Sequence, residues 1–244
     1  MELLLLSTST VYGGTYLEYA LDVVKDFLGD CRRVHFAAYA GADLDHYTAR
    51  VAAALRPLGL SVTGLHATGR PPRDSVNEAE VLFVGGGNSF RLLRAFQRLE
   101  LLDVVRERAR AGQLRYWGSS AGSNLACPTI RTTNDMPIVE PAGLRALGLI
   151  PFQLNPHYVD ADPGSTHMGE TREQRLLQFL EVNDVPVLGL REGSLLRLRQ
   201  HTLELRGSAT ARLFRRGDAP ADYAPGSDLS SLLTISPRFD AEQR

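Results

Sequence analysis

The chain has 244 residues, of which 43% are hydrophobic and 23% are charged, and its formal net charge at pH 7 is −1. Such a composition is typical of a globular protein with a sizeable core, and the small net charge gives no reason to expect a nucleic acid or a membrane as partner. The amino terminus lacks the features of a signal peptide, no apolar run reaches transmembrane length, and Cys31 and Cys127 suggest no disulfide framework, so a cytoplasmic location is expected.

Short apolar runs alternate with stretches of helical spacing through the first half of the chain. The apolar runs predict strands at 3–6, 34–38, 61–65, 80–84 and 114–118, and the helical spacing predicts helices at 16–28, 43–58, 90–96 and 102–111. This alternation indicates an α/β fold with a mostly parallel sheet and helices on both faces. Right-handed crossovers would place the carboxyl ends of the strands, and any site, along one edge of that sheet.

The second half of the chain has a different character. Residues 127–169 contain six prolines and are expected to form a long loop, which in a compact domain is more often functional than idle. A helix is predicted at 171–182, where Thr171 and Gln174 have the spacing of a capping box. Strands and hairpins are predicted at 185–190, 194–199, 202–206 and 210–214. No linker or repeat divides the sequence, so a single domain over residues 1–244 is expected, with 217–244 as an irregular tail.

The strongest chemical signal is the run Gly118-Ser119-Ser120-Ala121-Gly122, which contains Gly-x-Ser-x-Gly. It follows a predicted strand and precedes small, helix-compatible residues, which is the context of a nucleophile elbow. The flanking glycines allow the sharp turn, and the start of the helix adds a partial positive charge beside the hydroxyl group. Ser120 is therefore the candidate nucleophile and Ser119 its rival, while a purely structural glycine-serine turn is the alternative.

A serine nucleophile needs a base, and six histidines are present. His157 and His167 lie in the loop-rich segment after the elbow, and His157 is favoured. The other four occur in or beside predicted strands, on a predicted helix or in a hairpin turn, and they are expected to be structural or exposed to solvent: His35, His46, His66 and His201.

An oxyanion hole needs two backbone N–H groups aimed at one point. The elbow supplies the N–H of Ala121, and the run Gly85-Gly86-Gly87 can supply the second, because glycine allows the backbone to approach a ligand closely. A phosphate-binding loop is the alternative for this glycine run. It is disfavoured because the run matches neither Gly-x-Gly-x-x-Gly nor a Walker motif.

Several segments of the chain resemble the peptidase E family of aspartyl dipeptidases, whose fold is related to that of class I glutamine amidotransferases and cyanophycinase. The resemblance extends over residues 1–215 and is carried by 1–7, 84–88, 118–122, 124–139, 155–157 and 169–175. It implies a class I glutamine amidotransferase-like fold with C-terminal β-hairpins, Ser120 as nucleophile, His157 as base, and Gly87 with Ala121 as the oxyanion hole. For the acid that orients the imidazole it leaves two residues open, Glu192, which is favoured, and Asp135.

The resemblance also implies hydrolysis of Asp-X dipeptides with a free N-terminal aspartate, through an acyl-enzyme. Arg172 is the candidate for the aspartyl carboxylate, because a guanidinium group can bind a carboxylate through two parallel hydrogen bonds. Glu170 could pair with the ammonium group, and Asn88 is a further candidate for substrate binding. The sequence has no metal-ligand cluster, so neither a metal nor a cofactor is expected, and a homodimer is compatible with it.

Other activities remain as alternatives. A cyanophycinase-like serine hydrolase of the same fold is the nearest of these. A glutamine amidotransferase would need cysteine at position 120, and a lipase-type hydrolase would usually carry a His-Gly-Gly motif, which the chain lacks. A binding module with a degenerate elbow is disfavoured, because a serine, a histidine and candidate acids are all present.

Overall fold

The structure is a computed structural model that describes residues 1–166 and 168–241. In this part of the chain the strands are β1 (Glu2–Leu6), β2 (Arg33–Ala37), β3 (Ser61–Gly64), β4 (Val81–Val84), β5 (Arg115–Ser119), β6 (Gln153–Pro156), β7 (Val187–Leu190), β8 (Ser194–Arg199), β9 (Thr202–Gly207), β10 (Ala211–Phe214) and β11 (Ala221–Tyr223). The α-helices are α1 (Leu21–Leu28), α2 (Leu44–Leu55), α3 (Pro72–Glu78), α4 (Ser89–Arg98), α5 (Leu101–Arg110), α6 (Ala121–Ala126) and α7 (Arg172–Val182).

The strands form two sheets. The main sheet has seven strands in the order β3-β2-β4-β5-β1-β8-β9, and the small sheet has four in the order β11-β10-β7-β6. In the main sheet the first five strands of that order pair in parallel, while β8 and β9 form an antiparallel hairpin at one side. The predictions of an α/β fold with a mostly parallel sheet and of a C-terminal hairpin are therefore confirmed.

The main sheet separates two apolar layers, as the alternation of side chains along β1 shows. Leu3 and Leu5 belong to the cluster that includes side chains of α3, α4, α5 and α6, while Leu4 and Leu6 belong to the cluster that includes α1 and α2. All four leucines are at most 1% exposed. Successive side chains of a strand point to opposite faces, so an uninterrupted leucine run fits a strand covered on both sides.

The small sheet packs through its inner face into the cluster that contains α6, to which Leu154, Leu188 and Leu213 contribute. Its outer face is covered by α7, where Leu176 and Leu180 meet Tyr158, Val187 and Phe214. The predicted capping box at the start of α7 is confirmed, since the Thr171 hydroxyl accepts the Gln174 N–H while the Gln174 side chain accepts the Thr171 N–H. One apolar cluster therefore includes residues of both sheets.

Three predictions about secondary structure need correction. The helix predicted at 16–28 begins only at Leu21, after a 3₁₀ turn, because Leu17 has a φ of 62° and its N–H donates to the Ser9 carbonyl group. The loop predicted at 127–169 contains strand β6. The tail predicted as irregular at 217–244 contains strand β11 and a 3₁₀ helix (Ser230–Thr234) in its described part, and the backbone of residues 227–229 pairs with β9 and covers that edge strand.

None of the helices formed by residues 1–166 and 168–241 combines the length and the apolar character that crossing a membrane requires. Both cysteines are free, with Cys127 buried and Cys31 partly exposed. Burial raises the pKa of the Cys127 thiol to about 12.

Candidate active site

The turn between β5 and α6 holds Ser120 in a strained conformation. Ser120 has φ 51° and ψ −110°, in a region that residues other than glycine seldom occupy. A Cβ added to Gly118 would lie 2.5 Å from the Gly122 carbonyl oxygen, and one added to Gly122 would lie 2.1 Å from the Val84 carbonyl oxygen. The two glycines of the motif are therefore required by close packing of α6 against β4 and β5, and this packing fixes the serine at the carboxyl end of β5.

The small sheet supplies a histidine and a glutamate to the same point. β6 and β7 pair in parallel with Pro156 opposite Leu190, so the residues that follow the two strands emerge side by side. His157 comes directly after β6, and Glu192 comes two residues after β7. The His157 Nδ1 lies 2.7 Å from a Glu192 carboxylate oxygen, and its Nε2 lies 2.9 Å from the Ser120 Oγ. These distances form a continuous hydrogen-bonded relay from carboxylate through imidazole to hydroxyl.

Ser7 joins the two sheets at this relay. The residue follows β1, is fully buried, and accepts the backbone N–H of His157 at 3.0 Å while donating to the Leu190 carbonyl oxygen at 2.7 Å. One hydroxyl group therefore ties the ends of β6 and β7 to the end of β1. His157 itself has a φ of 54°, so both the serine and the histidine of the relay occupy left-handed backbone conformations.

Asp135, the second acid considered for the relay, does not contact His157. Its carboxylate accepts the backbone N–H of Ser89 at 2.7 Å and the Thr133 hydroxyl at 3.1 Å. Ser89 is the first residue of α4, where unpaired N–H groups and the helix dipole favour a negative charge. The geometry therefore gives Asp135 a place at a helix start, whereas Glu192 has the contact with the imidazole.

The rival residues lie apart from the relay. Ser119 is fully buried, and its hydroxyl lies 2.7 Å from that of Ser9. His167 is outside the described residues. His66 contacts Asp45, and His201 is exposed in the turn between β8 and β9. His46 is exposed, as expected, and it lines the cavity described below.

The glycine run after β4 approaches Ser120 closely. A Cβ added to Gly86 would lie 3.1 Å from the Cβ of Ser120. Gly87 has a φ of 131°, and a Cβ there would lie 2.5 Å from the Ala40 carbonyl oxygen, so only glycine fits without rearrangement. Its backbone N–H has no acceptor among the described residues. Ala121 is the first residue of α6, and the Ala121 N–H has no partner within the helix.

A cavity of about 470 Å³ opens in front of the serine. Its wall includes Ser120, His157, Gly86 and Gly87 together with residues from the segment after β1 and from the start of α2. These additional lining residues are Thr8, Ser9, Thr10, Tyr16, Gly41, Asp43, His46, Tyr47 and Arg50.

Arg172 lies in a neighbouring cavity of about 400 Å³ formed by residues of the segment 159–175. Its guanidinium group donates to the Asn134 side-chain oxygen, and the Asn134 amide donates to the Pro156 carbonyl oxygen next to His157. No carboxylate within residues 1–166 and 168–241 pairs with Arg172. Burial and the nearby Arg175 lower the pKa of the Arg172 guanidinium, which stays charged at neutral pH.

The two other candidates for substrate binding have partners within the protein. Glu170 lines the cavity of Arg172, where its carboxylate accepts the Gln178 amide at 2.6 Å and lies 3.8 Å from the Arg175 Nε. Asn88 caps α4, since its side chain accepts the Arg91 N–H, and its amide donates to the Met136 carbonyl oxygen. The structure thus places Asn88 in a helix cap, and its amide is directed to the backbone.

Part of the wall of the cavity in front of Ser120 is formed by residues that the sequence did not single out. The polar run from Ser7 to Thr10 follows a predicted parallel strand, so the rule that sites gather at strand ends could have identified it. Tyr16, Tyr47 and Arg50 could not have been found in that way. Their place at the cavity depends on how α2 and the loop before α1 pack, and an arginine on a helix is usually only solvated.

Comparison with known proteins gives consistent matches. The family described as "Peptidase family S51" matches residues 3–206. The chain is 57% identical over 244 residues to "Peptidase E" of Streptomyces coelicolor, covering 100% of both chains. It is 45% identical over 235 residues to "Probable alpha-aspartyl dipeptidase" of Drosophila melanogaster, covering 95% of this chain and 97% of the other. The solved structure of a peptidase from an acI-B1 Actinobacterium superimposes with a TM-score of 0.66 at 16% identity, covering 93% of this chain and 96% of its own, which shows a shared fold.

Proposed function

The chain belongs to peptidase family S51 and is thus a peptidase, and from this premise we propose that it is a serine-type dipeptidase that hydrolyses dipeptides with a free N-terminal aspartate. The observation that carries the proposal is the relay of Glu192, His157 and Ser120, with contacts of 2.7 and 2.9 Å, at a strained turn facing a cavity. The name of the Drosophila melanogaster relative supports the aspartyl preference.

In the proposed mechanism the Ser120 Oγ attacks the carbonyl carbon of the aspartyl residue. His157 accepts the hydroxyl proton at Nε2, while Glu192 holds the proton on Nδ1 and stabilises the imidazolium ion. The oxyanion accepts the N–H groups of Gly87 and Ala121. His157 then protonates the leaving amine, the C–N bond breaks, and an aspartyl ester of Ser120 forms. Water, activated by the same imidazole, hydrolyses that ester and regenerates the serine.

Arg172 supplies the specificity in this proposal. Its partly buried cation, unpaired by any carboxylate of the described chain, is suited to the side-chain carboxylate of an N-terminal aspartate. Glu170, in the same cavity, is the acid that would pair with the substrate ammonium group. An asparagine in place of the aspartate would leave Arg172 without its counter-charge, so discrimination by about 10⁴ is expected.

The test compares initial rates on Asp-Leu, Asn-Leu, Leu-Asp, a short-chain ester and cyanophycin. We expect hydrolysis of Asp-Leu, with release of both free amino acids, and at most traces with the other substrates. Preferred hydrolysis of cyanophycin would replace the dipeptidase with the alternative hydrolase of the same fold. Equal rates on Asp-Leu and Asn-Leu would contradict the aspartyl preference and leave the serine-hydrolase mechanism intact.

A second measurement separates specificity from chemistry. Arg172→Ala is expected to lose Asp-Leu hydrolysis while Ser120 still reacts with a small, uncharged acylating reagent. Arg175→Ala is the matched control, since Arg175 lines the same cavity and already has an acidic neighbour in Glu170. Normal hydrolysis of Asp-Leu by Arg172→Ala would show that the aspartyl carboxylate binds elsewhere.

A further inference from the structure

The cavity in front of Ser120 contains a cation that the proposed chemistry does not use. Arg50 extends from α2, and its guanidinium carbon lies 4.4 Å from the centroid of the Tyr16 ring. Within residues 1–166 and 168–241 the Arg50 side chain has neither a carboxylate partner nor a hydrogen-bond acceptor. Of the described residues that line this cavity, Arg50 alone carries a permanent positive charge. A stacked guanidinium with all its N–H groups unused is available to an anion.

The Tyr16 ring on which Arg50 stacks belongs to an aromatic wall. The Tyr16 ring packs edge-to-face on Tyr47 at a centroid distance of 6.5 Å, and Tyr47 packs in the same way on the buried Phe36 at 4.9 Å. The two tyrosine hydroxyl groups lie 3.4 Å apart. Burial raises the pKa of both tyrosines, so both are neutral near pH 7. The wall therefore offers an apolar surface with an exposed cation stacked on Tyr16.

The cavity also contains an acid, which has a separate role. Asp43 precedes α2, and its carboxylate accepts the His46 N–H at 2.9 Å as the N-cap of that helix. A carboxylate in this position stabilises the helix start, where the dipole is positive. Asp43 makes no ion pair with Arg50.

The cavity that contains Ser120 and the separate cavity that contains Arg172 suit the two halves of a dipeptide. Arg172 lies in one cavity, next to the end of β6, and the proposed function gives that cavity the aspartyl side chain. The other cavity contains Ser120, the tyrosine wall and Arg50. The leaving residue of a dipeptide carries a side chain and a free α-carboxylate, and an apolar wall that ends in a cation matches both groups.

We propose that Arg50, supported by the Tyr16 ring, binds the α-carboxylate of the leaving residue and so makes the site prefer dipeptides over aspartyl amides and longer peptides. This inference rests on the proposed function. The contact between Arg50 and the α-carboxylate forms in the Michaelis complex and remains through acylation. Its loss therefore weakens substrate binding and raises KM, while kcat changes little.

The experiment compares hydrolysis of Asp-Leu with that of Asp-leucinamide, which lacks the carboxylate charge. The unaltered protein is expected to prefer Asp-Leu in kcat/KM by about 10- to 100-fold, the range that a charge-assisted hydrogen bond supplies. Arg50→Gln is expected to lose that factor on Asp-Leu, mainly through KM, and to keep its rate on Asp-leucinamide within about twofold. Arg56→Gln is the matched control, because Arg56 follows the same helix, is exposed and does not line the cavity.

Two results would overturn the inference while the proposed function stands. One is an unaltered protein that hydrolyses both substrates equally well. The other is an Arg50→Gln variant that loses activity on both substrates to the same extent together with its discrimination between Asp-Leu and Asn-Leu. That second pattern would assign Arg50 to the aspartyl side chain. If the unaltered protein hydrolyses neither substrate, the proposed function fails, and the inference fails with it.

Discussion

The candidate site is formed by two regions. The residues of one are contiguous in sequence, whereas those of the other are far apart in sequence. The serine half belongs to the main sheet, where β5, the turn at Ser120 and α6 follow one another without interruption. The histidine half belongs to the small sheet, where His157 and Glu192 are 35 residues apart in sequence and meet only because β6 and β7 pair in parallel. A short motif can therefore identify the serine, whereas the histidine and glutamate depend on a register that no local pattern encodes.

At the site, hydrogen bonds join the two halves directly. The imidazole reaches Ser120, and the Ser7 hydroxyl links the end of β1 to the backbone of His157 and Leu190. Both Ser120 and His157 have positive φ values, of 51° and 54°, so each sheet presents its reactive side chain at a strained position. Variants in each half, and in the link between them, can separate chemistry from positioning.

Replacement of the nucleophile should give the largest effect. Ser120→Ala is expected to lower kcat on Asp-Leu by on the order of 10⁶, the loss seen when a serine hydrolase loses its nucleophile. Its thermal unfolding temperature should change little, because the fold of the elbow depends on the glycines on either side. Ser119→Ala is the matched control, since that hydroxyl is buried against Ser9, and it should keep most of the activity. Activity retained in Ser120→Ala and lost in Ser119→Ala would move the nucleophile by one residue.

The second-largest effect is expected on replacement of Glu192, the proposed orienting acid. Glu192→Gln keeps the shape of the side chain but favours the wrong imidazole tautomer, and a loss of roughly 10⁴ in kcat is expected by analogy with other triads. Asp135→Asn should cost about 1 kcal/mol of stability or less, with kcat nearly unchanged, because the carboxylate contacts the start of α4 and not His157. The measurement is kcat on Asp-Leu alongside a thermal melt for each variant. A large loss of kcat in Asp135→Asn alone would contradict the relay through Glu192.

Much of the main sheet could be predicted from sequence, because its strands are short apolar runs separated by amphipathic helices. Leu3 to Leu6 are buried on both faces of the sheet, and the uninterrupted apolar run that this requires is the pattern that predicts a parallel strand. Helix α3 has a weak sequence signal, since its seven residues include a first-turn proline and only two buried side chains. The start of α1 was placed too early because the spacing of Leu17 is helical although its backbone is not.

The small sheet was harder to predict for a physical reason. β6 has the sequence Gln-Leu-Asn-Pro, in which two amides are buried and hydrogen-bonded to loop atoms, so it lacks the apolar character of a buried strand. The described tail pairs with β9 through its backbone, which side-chain patterns do not reveal. Within the site, the relay residues were found by motif and resemblance, while the Tyr16 and Arg50 wall depends on packing alone.

The link between the two halves can be tested through Ser7. Ser7→Ala leaves the His157 N–H without its acceptor, while the Leu190 carbonyl oxygen keeps the Tyr158 N–H, so a loss of about 1–3 kcal/mol in unfolding free energy is expected. We also expect kcat to fall by about tenfold, because a small displacement of the base weakens proton transfer. Ser75→Ala is the control: Ser75 is equally buried and hydrogen-bonded to Thr68, but it lies on α3. A parallel loss of kcat in both variants would mean that Ser7 acts through general stability.

The smallest effect is expected at the ion pair that holds the chain beyond His157 to the end of β7. The Arg191 guanidinium contacts both carboxylate oxygens of Asp160 at 2.7 Å and holds the pKa of that carboxyl below its ordinary value. The lowered pKa means that the stabilisation is present at neutral pH and is lost as the pH falls through about 4 and below. The Asp160 side chain is 48% exposed, so solvent screening limits the contribution to about 1 kcal/mol or less.

Asp160→Asn should therefore lower the unfolding temperature at pH 7 by roughly 1–4 °C, and its melting temperature should approach that of the unaltered protein near pH 3. Asp218→Asn is the control, since Asp218 is exposed and has no ion pair among the described residues, and it should follow the unaltered protein at every pH. A deficit in Asp160→Asn that persists unchanged at pH 3 would show that the aspartate contributes through packing and not through its charge.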